Sequence, residues 1–259
     1  MTGGRPAISA VVITRDAGPH LAATLASVAF CSERLVLDSG STDDTVAIAR
    51  AAGARVEHHP FLGYGLQKRR AVDLAAHDWI LSLDADEVLD DEAAAAVQTV
   101  DLADPRACYA FRRRTFVGHR EVRHGPWGGE TVLRLFHRRH AEFSPLPVHE
   151  QVEAGTAPRL VPGSILHHSF TDCADVIARS VRYSRLKAGI MKAKGQRLSP
   201  WTLPARGAAN FLKSYLVQGG WRDGPVGFVI AVSRVIDSTL PRALVLLDEE
   251  DKARVGGSK

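Results

Sequence analysis

The stretch that most constrains this chain runs from Asp78 to Asp91, DWILSLDADEVLDD. Trp79-Ile80-Leu81-Ser82-Leu83 is a short apolar run that reads as a buried strand. It ends in Asp84-Ala85-Asp86-Glu87. Carboxylates at i and i+2 share a face only while the backbone stays extended. Where a buried strand opens into a loop, Asp84 and Asp86 can converge on one divalent cation, and hard oxygen ligands of this kind suit Mg2+ or Mn2+. A solvated acidic loop is the alternative reading of the same residues.

The preceding residues set the context. Ile8 to Thr14 and Arg34 to Asp38 read as strands, as does Ala54 to His58. Helical periodicity covers His20 to Ala29, Thr45 to Ala52 and Gly65 to Ala76, and an Ala-rich helix is expected from Asp90 to Val100. Strands alternating with helices at this spacing imply βαβ units and a parallel sheet. Ligands of such sheets sit outside the carboxyl ends of the strands. Thr14, Asp38 and Asp84 each fall at such an end.

At 259 residues the chain is one large domain, or one domain with an appendage. Hydrophobic content of 45% and charged content of 24% are ordinary for a globular protein. Cys31, Cys108 and Cys173 form an odd set without metal-ligand spacing, so no disulfide framework is expected, which fits a reducing cytoplasm. Ile8 to Ile13 is too short for a signal sequence. Val226 to Leu247, the best candidate for a membrane span, is interrupted by Arg234, Asp237, Pro241 and Arg242.

The net charge of +4 is unevenly spread: Val176 to Arg222 holds ten Lys and Arg and no Asp or Glu. That asymmetry points to an anionic partner, with a solvated basic helix face as the plain alternative. No nucleic-acid module accompanies it. Cys108 to Arg114, Thr131 to Arg138 and Leu160 to His168 read as further strands of a mixed sheet. Arginine is dense between Arg112 and Arg139, and its planar fork suits phosphate oxygens, so a diphosphate or a phosphorylated acceptor would account for the density, with ordinary surface residues as the plain alternative. From Asp175 the pattern is helical, interrupted at Ser199 to Pro204 and again at Gly219 to Gly224. Trp201, Phe211, Tyr215, Trp221 and Phe228 are interleaved with the basic residues. They suit either a membrane interface or ordinary packing. The expected division is a domain over 1–172, a basic helical region over 173–247 and a disordered tail over 248–259.

Several segments in order, ISAVVIT, LVLDSGSTDDTVAIA, GYGLQKRRA, DWILSLDADE, LRLFHRR, VHE, HHSF and YLVQGGWRDGPVGF, resemble glycosyltransferase family 2. The nearest branch by resemblance is the lipopolysaccharide core β-glucosyltransferases. The resemblance covers nearly the whole chain to about Val235, and DSGSTDDT with LDADE is its most specific part. It implies a GT-A fold: α/β, with a Rossmann-like mixed, mostly parallel sheet flanked by helices, here with a C-terminal helical extension. It also implies an enzyme that moves a hexose with inversion, glucose from UDP-glucose, to a hydroxyl of a cell-surface glycan such as lipopolysaccharide core. By that resemblance Thr14 and Asp38 hold the base and ribose, with Asp16 beside them in the donor pocket. Gln67 and Lys68 lie on the helix over the nucleotide. Asp84 contacts the ribose or the metal, Asp86 ligates the Mg2+ or Mn2+ that bridges the diphosphate, and His167 helps hold it. Glu150 of VHE is the first choice for catalytic base and Glu130 its rival. A glycan or lipid-linked glycan acceptor would be met in the cytoplasm, with the enzyme peripheral on the inner, anionic face of the membrane.

Two departures bear on donor specificity. Asp16-Ala17 stands where the family usually has Asn-Glu, and Gln67-Lys68-Arg69 where it has Gln-Arg-Asn. Other classes stay open at this level. One is a GT-A fold that binds without catalysing. Another is a haloacid-dehalogenase-type phosphatase using Asp84 and Asp86, although that class places its acidic motif on the first strand and three strands precede this one. A calcium loop is disfavoured, because Asp84 to Asp91 lacks the glycine its sixth position needs.

Overall fold

The computed structural model describes residues 7–144, 150–196 and 198–256. Its elements are β1 (Ile8–Thr14), α1 (Gly18–Ser27), β2 (Glu33–Asp38), α2 (Thr45–Ala51), β3 (Arg55–His58), α3 (Tyr64–Leu74), β4 (Trp79–Asp84), β5 (Glu87–Leu89) and α4 (Asp91–Val97). They continue with β6 (Cys108–Val117), β7 (Arg120–Val122), β8 (Glu130–His137), β9 (Ala141–Phe143), β10 (Val152–Ala154) and β11 (Arg159–Phe170). Helices α5 (Cys173–Ala193), α6 (Thr202–Leu212) and α7 (Gly224–Gly256) complete the chain. Two compact units result: one runs to Arg114 and adds Glu130–His168, and the other holds Thr115–Gly129 and everything from Ser169.

The first unit is built on a mixed sheet of order β3-β2-β1-β4-β8-β6-β11-β5. Strands β3, β2, β1 and β4 run parallel, and β8 is antiparallel to both β4 and β6. The βαβ order read from the sequence therefore produces the expected mixed α/β sheet. Register aligns the strand ends: Thr14 sits opposite Asp38, and Ile13 opposite Asp84. The central strands alternate between two apolar layers, as they must when helices cover both faces. Ala10, Val12, Val36, Leu81 and Leu83 join one cluster with Leu21 and Leu25 of α1. Val11, Leu35, Leu37 and Ile80 join the other with Ala71 and Val72 of α3.

One short element escapes a periodicity reading. Strand β5 has only three residues and flanks the acidic run, so no alternation reveals it. It pairs antiparallel with β11, placing His167 opposite Glu87. Gly163 of β11 has φ +80°, and a Cβ there would lie 2.2 Å from the backbone nitrogen of Ala93. Only glycine lets the strand approach the start of α4 so closely. There Asp90 caps the helix, accepting from Ala93 N at 2.8 Å and from Ser164 N at 3.1 Å.

In the second unit β7 pairs with the end of β6. Val117, Val122, Val176, Val226 and Ile230 form a small core, against which Trp127 and Phe170 stack with ring centroids 5.0 Å apart. Asp223 binds the backbone of Arg123 and His124 and the His124 ring. The unit takes in Thr115–Gly129, and α7 continues past Asp248 to Gly256, with Pro241 inside it. Among the described residues no helix is long and apolar enough to cross a membrane.

Candidate active site

At the parallel strand ends, the residues expected to meet a nucleotide bind one another. The Thr14 hydroxyl donates to Asp38 Oδ1 at 3.2 Å. Asp38 also accepts from the Ser41 hydroxyl, from Gly40 N at 2.9 Å and from Ser41 N at 3.0 Å. Four donors fill the lone pairs of this carboxylate. Burial alone would raise its pKa, but these hydrogen bonds outweigh burial and hold it below the ordinary aspartate value. Asp16, at φ +50°, accepts from Thr42 N at 2.8 Å and from the Thr42 hydroxyl at 3.2 Å. Gln67 is fully enclosed, donates to Ser39 Oγ and His59 O, and accepts from Leu62 N. The structure thus brings Thr14, Asp16, Asp38 and Gln67 together around the Ser39–Thr42 loop. Gln67 acts on that loop, since its amide is spent on protein atoms.

A second cluster surrounds the acidic motif. Lys68 of α3, only 2% exposed, bridges Asp84 Oδ1 at 2.6 Å and Glu150 Oε1 at 2.8 Å. Arg134 of β8 bridges Asp84 Oδ2 at 2.8 Å and the fully buried Glu87 at 2.6 Å. Arg113 of β6 reaches Glu87 at 3.5 Å and Glu130 at 2.5 Å. The result is an alternating chain of charge: Glu150, Lys68, Asp84, Arg134, Glu87, Arg113, Glu130. Such burial is tolerable only because each charge meets an opposite one.

The two aspartates of the motif experience opposite fields. Burial would raise the Asp84 pKa, but Lys68 and then Arg134 hold it far below the usual carboxylate range. Burial raises Asp86 above the ordinary value; His167 opposes the shift, and the charges of Asp84 and Glu87 add to it. Asp86 Oδ1 lies 3.6 Å from His167 Nε2. A divalent cation at Asp86 would offset the burial and the neighbouring Asp84 and Glu87 charges that act against its ionised form. A carboxylate suits Mg2+ or Mn2+ when phosphate oxygens supply further hard ligands. Asp84, expected at the ribose or the metal, has Lys68 on one oxygen and Arg134 on the other. Among the described residues no three His, Cys, Asp or Glu side chains are arranged to hold a metal ion.

Sequence reasoning missed Glu87, Arg113 and Arg134 as organisers of this cluster. Arg134 offered a signal: a cation inside the apolar strand Val132-Leu133-Arg134-Leu135-Phe136 needs a buried carboxylate partner. The arginine density read as a diphosphate site is in good part spent internally. Arg113 and Arg134 serve Glu87, while Arg138 and Arg139 meet Asp78 at 2.8 and 3.0 Å. Of VHE only Glu150 is described; Val148 and His149 lie outside the described residues.

Residues 9–157 match the family model described as glycosyl transferase family 2. An uncharacterised glycosyltransferase of Rickettsia felis is 30% identical over 86% of this chain and 83% of its own length. The lipopolysaccharide core biosynthesis glycosyltransferase LpsC of Rhizobium meliloti is 28% identical over 95% of this chain and 94% of its own. Among solved structures, glucosyl-3-phosphoglycerate synthase of Mycobacterium tuberculosis, in complex with Mn2+, UDP and glucosyl-3-phosphoglycerate, aligns over 44% of this chain at 25% identity and a TM-score of 0.33. That alignment spans 45% of the synthase, under half its length.

Proposed function

This chain belongs to glycosyltransferase family 2 and is a glycosyltransferase, and we propose that it transfers a hexose, with inversion and a divalent metal, from a nucleotide sugar to a glycan hydroxyl. The observation that carries the reading is Lys68, which ties Asp84 of the acidic motif to Glu150. Donor-side and base-side carboxylates thereby belong to one cluster. UDP-glucose is the donor suggested by the sequence resemblance. A lipopolysaccharide core acceptor is supported by the likeness to LpsC over most of both chains. Family membership removes the phosphatase alternative.

Mg2+ or Mn2+ held by Asp86 and His167 would neutralise the charge that develops on the diphosphate leaving group. The remaining steps belong to the chain. Arg134 and Lys68 keep Asp84 ionised and fixed. Lys68 also holds the Glu150 carboxylate in one place. Glu150 takes the proton as the acceptor oxygen attacks the anomeric carbon in line and the bond to the diphosphate breaks. One base suffices for inversion, so no covalent intermediate is required. Glu150 is preferred over Glu130 because it connects to Asp84 through a single cation, whereas Glu130 connects through two. The acceptor would be met at the cytoplasmic face of the membrane, with the enzyme peripheral to it.

Calorimetric titration with UDP, with and without Mn2+, tests this on wild type and Asp86→Ala. Metal-dependent binding that Asp86→Ala removes is expected. Wild-type binding that ignores the metal would overturn the metal assignment, and no binding of UDP would overturn the donor.

A further inference from the structure

The second unit carries a surface that glycosyl transfer does not explain. Between α6 and α7 lies an apolar groove of about 480 Å3, lined by Leu203, Pro204, Gly207, Phe211, Val235 and Thr239. The same segment of chain leaves large apolar side chains in solvent: Trp201 is 88% exposed and Val217 81%, with Leu212, Leu216 and Trp221 also exposed. A soluble surface rarely keeps such a concentration without a partner.

Charge says which partner. Arg206 adjoins Gly207 and lies one turn from Leu203, while Arg242 lies one turn beyond Thr239 on α7. They are close enough for the charge of Arg206 to act on Arg242. Among the described residues neither makes an ion pair. Asp237, the acidic residue of α7 nearest the groove in sequence, is held by Arg234 at 3.1 Å. Lys213 and Arg222 are exposed in the same stretch, and Arg222 lies over the Trp221 ring at 5.3 Å. An apolar slot with two cations beside it has the chemistry of a lipid chain below an anionic headgroup.

We propose that the α6–α7 groove, with Arg206 and Arg242 beside it, binds an anionic lipid of a bilayer and docks this unit on the membrane surface. The groove deepens the membrane-presented acceptor reading, on which its biological purpose rests; lipid binding itself is read without any sugar transfer. Co-sedimentation of the full chain with vesicles of mixed phosphatidylcholine and phosphatidylglycerol, against phosphatidylcholine alone, is the test. Binding to the anionic vesicles that high salt weakens is expected, falling about tenfold or more in Arg206→Ala/Arg242→Ala. Ala208 also lines the groove, and Ala208→Trp, which fills it, should weaken binding while leaving both cations in place. Circular dichroism confirms that the variants fold, and Arg206→Ala alone, at an exposed position, serves as the mildest variant. Equal binding to neutral vesicles, no binding to anionic ones, or an unchanged double variant would overturn the proposal. So would a dimer by light scattering that ignores vesicles, because it would give the groove to a second copy. UDP titration of the same preparations separates this outcome from the fate of the donor reading.

Discussion

Lys68 Nζ lies 2.8 Å from Glu150 Oε1 and 2.6 Å from Asp84 Oδ1, joining carboxylates that are far apart in the chain. Removing this cation takes away the charge that the two carboxylates share and leaves Asp84 with Arg134. Lys68→Met should lower kcat/KM for sugar transfer about a hundredfold through lost positioning, and Lys68→Arg should recover part of it by keeping the charge. Steady-state kinetics with both variants decides. Full activity in Lys68→Met would remove Lys68 from the site.

The choice of base follows from the same pair. Glu150→Gln should reduce kcat on the order of a hundred- to ten-thousandfold, the usual range for general-base catalysis, with UDP binding retained. Glu130→Gln should stay close to wild type. The reverse pattern in a transfer assay would move the proton acceptor to Glu130.

Arg134 is a structural prediction. It sits in an apolar strand, and its loss takes from the buried Glu87 its closer cation, leaving Arg113 at 3.5 Å, and from Asp84 one of its two. Arg134→Met should cost about 3–5 kcal/mol, the scale for breaking a buried ion pair. Adding Glu87→Gln should restore part of that loss, a non-additivity that urea denaturation of the single and double variants would read.

Glu33 supplies the pH dependence. Its carboxylate accepts from the Ser9 hydroxyl at 2.5 Å, from Ala76 N at 2.6 Å and from Arg55 at 2.8 Å. Burial would raise its pKa, but these partners together lower it below the ordinary glutamate value. A carboxyl with a lowered folded pKa adds stability that is fully present above the unfolded value, about 4.3. That stability disappears as pH falls through the folded value. Glu33→Gln should therefore cost about 1–2 kcal/mol at neutral pH, and the difference from wild type should shrink below about pH 4. Denaturation curves across that range check it; a difference independent of pH would mean packing and not charge.

Much of the fold was legible because it is local. Apolar runs such as Val11-Val12-Ile13 and Ile80-Leu81 announce strands, and the intervening periodicity announces helices. The alternation of the two then forces parallel pairing, which aligned the ends holding Thr14, Asp38 and Asp84. Strand β5 was not legible, since three residues beside an acidic run carry no period.

The sequence by itself determined the order of elements, the position of the acidic motif at a strand end and the family to which the chain belongs. Tertiary structure alone decided the pairing of charges. That Asp84 meets Lys68 and Arg134 depends on how α3, β4 and β8 pack. Whether His167 stands beside Asp86 depends on the register of β11 against β5. A buried charge takes whichever opposite charge the packing brings within a few ångströms, and spacing along the chain carries no record of that choice.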